Sequence, residues 1–246
     1  MNNRITPEVI FNKFSGRLRG KIEELEYLVY MDKQFEKWLQ CELVLAFSDI
    51  CLPVVFNDNY DEITCNNDNE KVCDIKIEYP IYCNDSTKPS QCDVIIAANP
   101  FLLHYADKKT WQVPRDAVDE CKKKYRSEKF NYIELKQKSW ADIKASACVD
   151  GIATDIIADL KTYSIQDCPK FKEAYNPSNV ISMCLVSFWD SKTPSRIISQ
   201  DKLTRVVNNV SAKVMKECDR FFQNDASFLW EPITKEICLL MVFFSI

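Results

Sequence analysis

Three observations predict an α/β fold with a mixed central sheet and an N-terminal helical extension. The stretch Asn131-Tyr-Ile-Glu-Leu-Lys-Gln-Lys138 alternates with the period of a strand, Ile133 and Leu135 pointing one way and Tyr132, Glu134 and Lys136 the other. Residues 179–188, Asn-Val-Ile-Ser-Met-Cys-Leu-Val-Ser-Phe, are nearly continuously apolar, as expected of a strand covered on both faces. Between them Ile152, Ile156, Ile157 and Leu160 recur at helical spacing over 150–163. Strand, helix and strand in that order make a β-α-β unit, whose strands are parallel with a right-handed crossover.

The other elements follow in order. Thr6-Pro7-Glu8 supplies a hydroxyl cap, a first-turn proline and an acid at the positive end of a helix. Apolar residues at Ile10, Phe14, Leu18, Ile22, Leu25 and Val29 extend that helix, which is expected on the outside of the domain or against a partner subunit. A second helix spans about 32–47, with Phe35, Trp38, Leu39 and Ala46 as its stripe. At roughly 100° per residue, Glu42 falls inside the stripe and Glu36 about 100° from Phe35. A carboxylate there needs a partner, either an ion pair with a neighbouring element or a functional site.

Residues 51–71, rich in Asn, Asp and Glu, read as a loop. Strands over 72–82 and 92–98 flank a turn at 84–91 and form an antiparallel hairpin, the second strand opening on Asp93. Residues 99–131 form an insertion with a helix over about 114–129 that ends in basic residues, either a solvated face or a phosphate contact. His104, the one histidine, has no catalytic context there and reads as structural. A long helix over 200–222 turns Leu203, Val207, Val210, Val214, Cys218 and Phe221 inward, and 236–246 closes the chain as a strand. With no internal repeat and no linker, 1–246 is read as one domain: an N-terminal helix (1–30), a core (32–190) and a C-terminal helix and strand (191–246).

Composition narrows the function. Apolar residues make up 46% and glycines number three, so the chain is an ordered globular protein. A net charge of −4 excludes a globally basic nucleic-acid binder but not local basic patches. The start lacks an apolar signal region, so the 12 cysteines are expected to be free, mostly buried thiols in a cytoplasmic protein. Cys65, Cys73, Cys83 and Cys92 are too irregularly spaced for a structural zinc site. The longest apolar run, 237–244, is too short to cross a bilayer, so no membrane partner is expected.

On the central strand, Glu134 and Lys136 stand about 7 Å apart on one face. They are either a solvated pair on an edge or the polar end of a reaction site. A helix carrying Glu42, a strand opening on Asp93, and a strand bearing Glu134-Leu135-Lys136 together resemble the PD-(D/E)xK nuclease superfamily over roughly 32–190. The resemblance implies a restriction-endonuclease-like α/β/α sandwich that binds DNA and hydrolyses phosphodiesters with Mg²⁺ or Mn²⁺. By that resemblance Asp93, Glu134 and Glu42 would hold the metal, and the Leu135 carbonyl would add a ligand. Lys136 would orient water or stabilise charge on the phosphate. Gln137 matches an E-x-K-Q variant, and Glu78 is a further candidate on the preceding strand. Lys122, Lys123, Lys124, Arg126 and Lys138 would meet nucleic acid, with Lys161 a further basic candidate, and a homodimer would cut both strands. Two departures stand out: Cys92 replaces the motif's proline, and 40 residues separate Asp93 from Glu134. If Asp93 is not the ligand, Asp74 is the next choice. The rivals are a non-catalytic binding module on the same fold and an unrelated α/β protein whose Glu134 and Lys136 are a surface pair.

Overall fold

A computed structural model describes residues 5–30, 35–49, 51–53, 73–81, 90–97, 130–139, 146–164, 168, 171, 177–188, 200–221 and 226–246. Its strands are β1 (Cys51–Pro53), β2 (Cys73–Ile81), β3 (Ser90–Ala97), β4 (Phe130–Ser139), β5 (Pro177–Ser187), β6 (Ala226–Pro232) and β7 (Ile237–Ser245). They form one sheet in the order β1-β2-β3-β4-β5-β7-β6. The β1–β2 and β4–β5 pairs are parallel and the other neighbours antiparallel, so the sheet is mixed. The expected hairpin and the parallel β-α-β unit are both present.

Strand alternation divides the core into two apolar layers. On one side Ile133, Leu135, Ile181, Met183, Leu239 and Met241 pack with α1 (Pro7–Arg19), α2 (Ile22–Tyr30) and α3 (Glu36–Ala46). On the other, Phe130, Tyr132, Val180, Cys184, Leu240 and Val242 pack with α4 (Ser146–Lys161) and α5 (Gln200–Phe221). The strands β5 and β7 contribute to both layers at alternate positions, which is why each reads as a continuous apolar run.

Three expectations need correction. The stretch expected as a loop, 51–71, opens on a strand, because Cys51–Pro53 at its start form β1, paired in parallel with β2. The first helix is not continuous: it stops at Arg19, and Gly20 closes its last turn by donating to the carbonyls of Gly16 and Arg17 before α2 begins. Glycine is the least helix-favouring residue short of proline, so the break falls where continuation is least stable. Nor does this helix lie outside the domain, because Ile10, Phe14 and Leu18 are fully buried against α3 and the sheet. Thr6 does cap it, its hydroxyl accepting from the Val9 amide at 3.4 Å. Strand β6 escapes the sequence reading because it is a half-buried edge that lacks an apolar alternation.

A row of polar side chains crosses the sheet beneath α1. Asn131 donates to the Ile5 carbonyl (3.2 Å), Asn179 donates to Asn131 Oδ1 (2.6 Å), and the Ser245 hydroxyl donates to Asn179 Oδ1 (2.8 Å). These three side chains come from β4, β5 and β7 at facing positions. Each buried amide thereby keeps a partner that water cannot supply.

Among the described cysteines, Cys92, Cys148, Cys168, Cys184, Cys218 and Cys238 are buried and Cys41 is exposed, all as free thiols. Among the described residues no helix is long and apolar enough to cross a membrane. Because Phe14 is sealed between α3 and the sheet, Phe14→Ala is expected to destabilise the protein by about 3–5 kcal/mol in urea unfolding.

Candidate active site

Strands β3 and β4 pair from Ala97↔Phe130 to Val94↔Ile133 and then part. Beyond the Val94–Ile133 pair β4 keeps β5 on one side, from Glu134↔Ser182 to Ser139↔Ser187, and among the described residues has no strand on the other. The Leu135 N–H faces this open side. Asp93 fills the gap, its Oδ2 accepting from that amide at 2.7 Å. A residue's N–H and C=O leave a strand on the same side, so the Leu135 carbonyl opens onto the same notch. Asp93 thus takes over one ladder bond and brings its charge beside the polar face of β4.

Gln40 of α3 reaches Asp93 from the opposite layer, donating from Nε2 to Oδ1 at 2.7 Å. Gln40 is 2% exposed, and its Oε1 finds no partner among the described residues. The notch is therefore lined by both helical layers.

Helix α4 runs back along β4, and the two are commensurate. Four residues of helix rise about 6 Å and two residues of strand about 7 Å. Asp155, Asp159 and Tyr163, spaced by four, accordingly meet Lys138, Lys136 and Glu134, spaced by two. Lys138 Nζ lies 2.8 Å from Asp155 Oδ2, and Lys136 Nζ 3.6 Å from Asp159 Oδ1. The Tyr163 hydroxyl donates to Glu134 Oε1. Ser182 Oγ, 3.5 Å from Asp159 Oδ2, supports the middle rung from β5. Tyr163 packs at a tilt against Tyr132 and Phe171, which meet each other edge-on, with 4.9 Å between the Tyr163 and Phe171 ring centroids.

Crowding of acids in a largely buried notch shifts their proton affinities. Burial, then the neighbouring Asp93 charge, raises the Glu134 carboxyl well above the usual carboxylate range; the Tyr163 hydrogen bond opposes this only in part. Burial pushes Asp159 up to about 7, partly countered by Lys136. Burial works against the Lys136 ammonium, but the carboxylates of Asp159, Glu36, Asp93 and Glu134 outweigh it and keep it protonated. Two carboxyls held side by side, one with its proton affinity raised by burial and by its neighbour's charge, are a poor arrangement for bare protein and a good one around a dication.

The structure thus brings together Asp93, Glu134 and Lys136. It does not bring Glu42 to them. Glu42 is buried, but Arg17 Nε of α1 holds its Oε2 at 2.6 Å. It lies two residues, roughly 200°, around α3 from Gln40, which faces Asp93. The ion-pair reading of Glu42 is the one observed. Gln137 occupies the face of β4 opposite Glu134 and Lys136, and donates to Ser139 Oγ at 3.0 Å. Lys138 is engaged by Asp155. Glu78 and Asp74 lie on β2, but their side chains are outside what is described. Lys122, Lys123, Lys124, Arg126, His104 and the helix expected over 114–129 also lie outside the described residues.

Sequence reading missed Gln40, Asp155, Asp159, Tyr163 and Ser182. The available signal was the spacing of four on the helix against two on the strand, visible once the β-α-β unit is accepted. Among the described residues no group of three or more His, Cys, Asp or Glu side chains stands ready to hold a metal ion. Asp93 and Glu134 still fit Mg²⁺, which is commonly held by one or two carboxylates with water and substrate phosphate completing the shell. Compared with protein-family models, curated proteins and solved structures, the chain matches none.

Two outcomes follow from this geometry. Glu42→Ala should cost about 2 kcal/mol, because it strands the Arg17 guanidinium, yet leave divalent-ion binding, read by titration calorimetry, unchanged. Asp159 binds its proton more tightly folded than unfolded. Its stabilising contribution is therefore complete below the ordinary aspartate range and lost as pH rises through about 7. The melting temperature should fall across the window from about pH 4 to pH 7, and Asp159→Asn should flatten that fall.

Proposed function

We propose that the chain is a Mg²⁺- or Mn²⁺-dependent nuclease that hydrolyses DNA phosphodiester bonds on a restriction-endonuclease-like sandwich. The observation that carries this reading is the meeting of Asp93 and Glu134 in the notch where β3 leaves β4, with Lys136 two residues along the same face. A divalent ion bound there would polarise a phosphate oxygen and lower the pKa of its water.

The protein's own groups have separate tasks. Asp93 and Glu134 supply the anionic oxygens, and the Leu135 carbonyl is a neutral one on the same side. Gln40 and Tyr163 fix the rotamers of the two acids. Lys136, kept cationic by its acidic surroundings, stabilises charge on the phosphate or orients the attacking water. Lys138 and the basic residues Lys122, Lys123, Lys124 and Arg126 are proposed to bear on the nucleic-acid backbone, which needs them because the chain as a whole is acidic. Double-strand cleavage by one site per chain would call for two copies.

A second reading, a non-catalytic binding module on the same fold, has one observation in its favour. Both Asp93 oxygens and the Lys136 ammonium are already engaged by protein groups.

The deciding assay is cleavage of plasmid and single-stranded DNA with Mg²⁺ or Mn²⁺, comparing the unmodified chain with Lys136→Ala. Metal-dependent nicking that falls by about 10²–10³-fold in the variant is expected. Equal cleavage in both would refute a role for this motif, and binding without cleavage would favour the module.

A further inference from the structure

Two lysines on β4, Lys136 and Lys138, are each paired with an aspartate of α4 across the opening of the notch. Side-chain exposure is 30% and 37% for the lysines against 12% and 33% for Asp159 and Asp155, so the cations reach solvent at least as well as their partners. We propose that Lys136 and Lys138 form a seat for consecutive phosphates of one nucleic-acid strand, and that Asp159 and Asp155 hold those places until the strand displaces them. This rests on the phosphodiesterase reading of the same strand and names what regulates its access to substrate.

Alternation aims both ammonium groups at the same face, two residues apart. A strand's phosphates also repeat regularly and carry one charge each. The 3.6 Å separation between Lys136 and Asp159 is loose for a charge-assisted bond, where 2.7–2.9 Å is usual. An arriving anion therefore gives up little by replacing that partner. Asp155 and Lys138 are tighter but sit nearer solvent, where an exposed pair contributes little. The aspartates also screen the lysines from adventitious anions. Bound substrate would have to deliver more than one phosphate to compete with both.

The test is fluorescence anisotropy of a labelled single-stranded oligonucleotide with the full chain in EDTA at several salt concentrations. The D155N/D159N variant should bind about tenfold more tightly than the unmodified chain. Its log–log salt slope should steepen by about 1.4, the value for two additional phosphate contacts on a single strand. In a K136A/K138A background the same acid substitutions should change nothing. If the double variant fails to fold, D155N alone, at a partly exposed position, should show about half the change in slope. Unchanged affinity in folded D155N/D159N overturns the proposal. So does equal tightening in the K136A/K138A background, which would reflect net charge alone. No oligonucleotide binding by the unmodified chain or D155N/D159N also overturns it. Because no divalent ion is present, oligonucleotide seated through these lysines by a chain that cleaves nothing upholds the seat and removes only the catalytic reading.

Discussion

Among the described residues no strand receives the hydrogen bond of the Leu135 backbone amide, and much of the polar architecture depends on what takes its place. A buried N–H without an acceptor costs about as much as a full hydrogen bond. Asp93 supplies the acceptor at 2.7 Å, which draws a carboxylate to the open flank of β4. Once there, its charge raises the proton affinity of Glu134, helps keep Lys136 protonated, and attracts the Gln40 amide from the other layer. One peptide group outside the strand ladder thus gathers a polar cluster. A backbone ladder continued through this point would have had no use for an acid.

The helix opposite completes the arrangement through geometry alone. Four-residue and two-residue repeats differ in rise by about 0.4–0.8 Å, so three successive polar side chains of β4 find partners on one helix face. Register errors of a single residue on β4 would turn Glu134, Lys136 and Lys138 toward the α1–α3 layer, where the core is apolar. The pairs are individually modest, yet together they penalise any such slip. The apolar alternation and the polar rungs therefore specify the same register.

Much of the fold was legible because amphipathic periodicity was strong where the chain is buried on one face, as at Leu203, Val207, Val210 and Val214, or on both, as at 179–188. The split after Arg19 was hidden because Ile22, Leu25 and Val29 continue the helical spacing of α1 across the break. At the site, Asp93, Glu134 and Lys136 could be named because their order on strands is visible in the sequence. Glu42 was misassigned because an inward-facing acid looks the same whether it meets a metal or a guanidinium, and Arg17 lies 25 residues away in sequence. Gln40, by contrast, carries no charge to draw attention, although it is the α3 residue that touches Asp93. Which helical face meets which strand is a packing decision that periodicity alone does not encode.

The polar row from Ser245 through Asn179 and Asn131 to the Ile5 carbonyl gives the amino-terminal segment an influence beyond its own helix. Were α1 to lift away, the Asn131 amide would lose its acceptor under the middle of the sheet, and its bond to Asn179 would be weakened in turn. Detachment of the first residues is thus coupled to opening of β4, the strand that carries Glu134 and Lys136. Helix α1 and the centre of the sheet are therefore expected to open as one cooperative unit. A ligand that steadies β4 would slow fraying at the beginning of the chain without touching it.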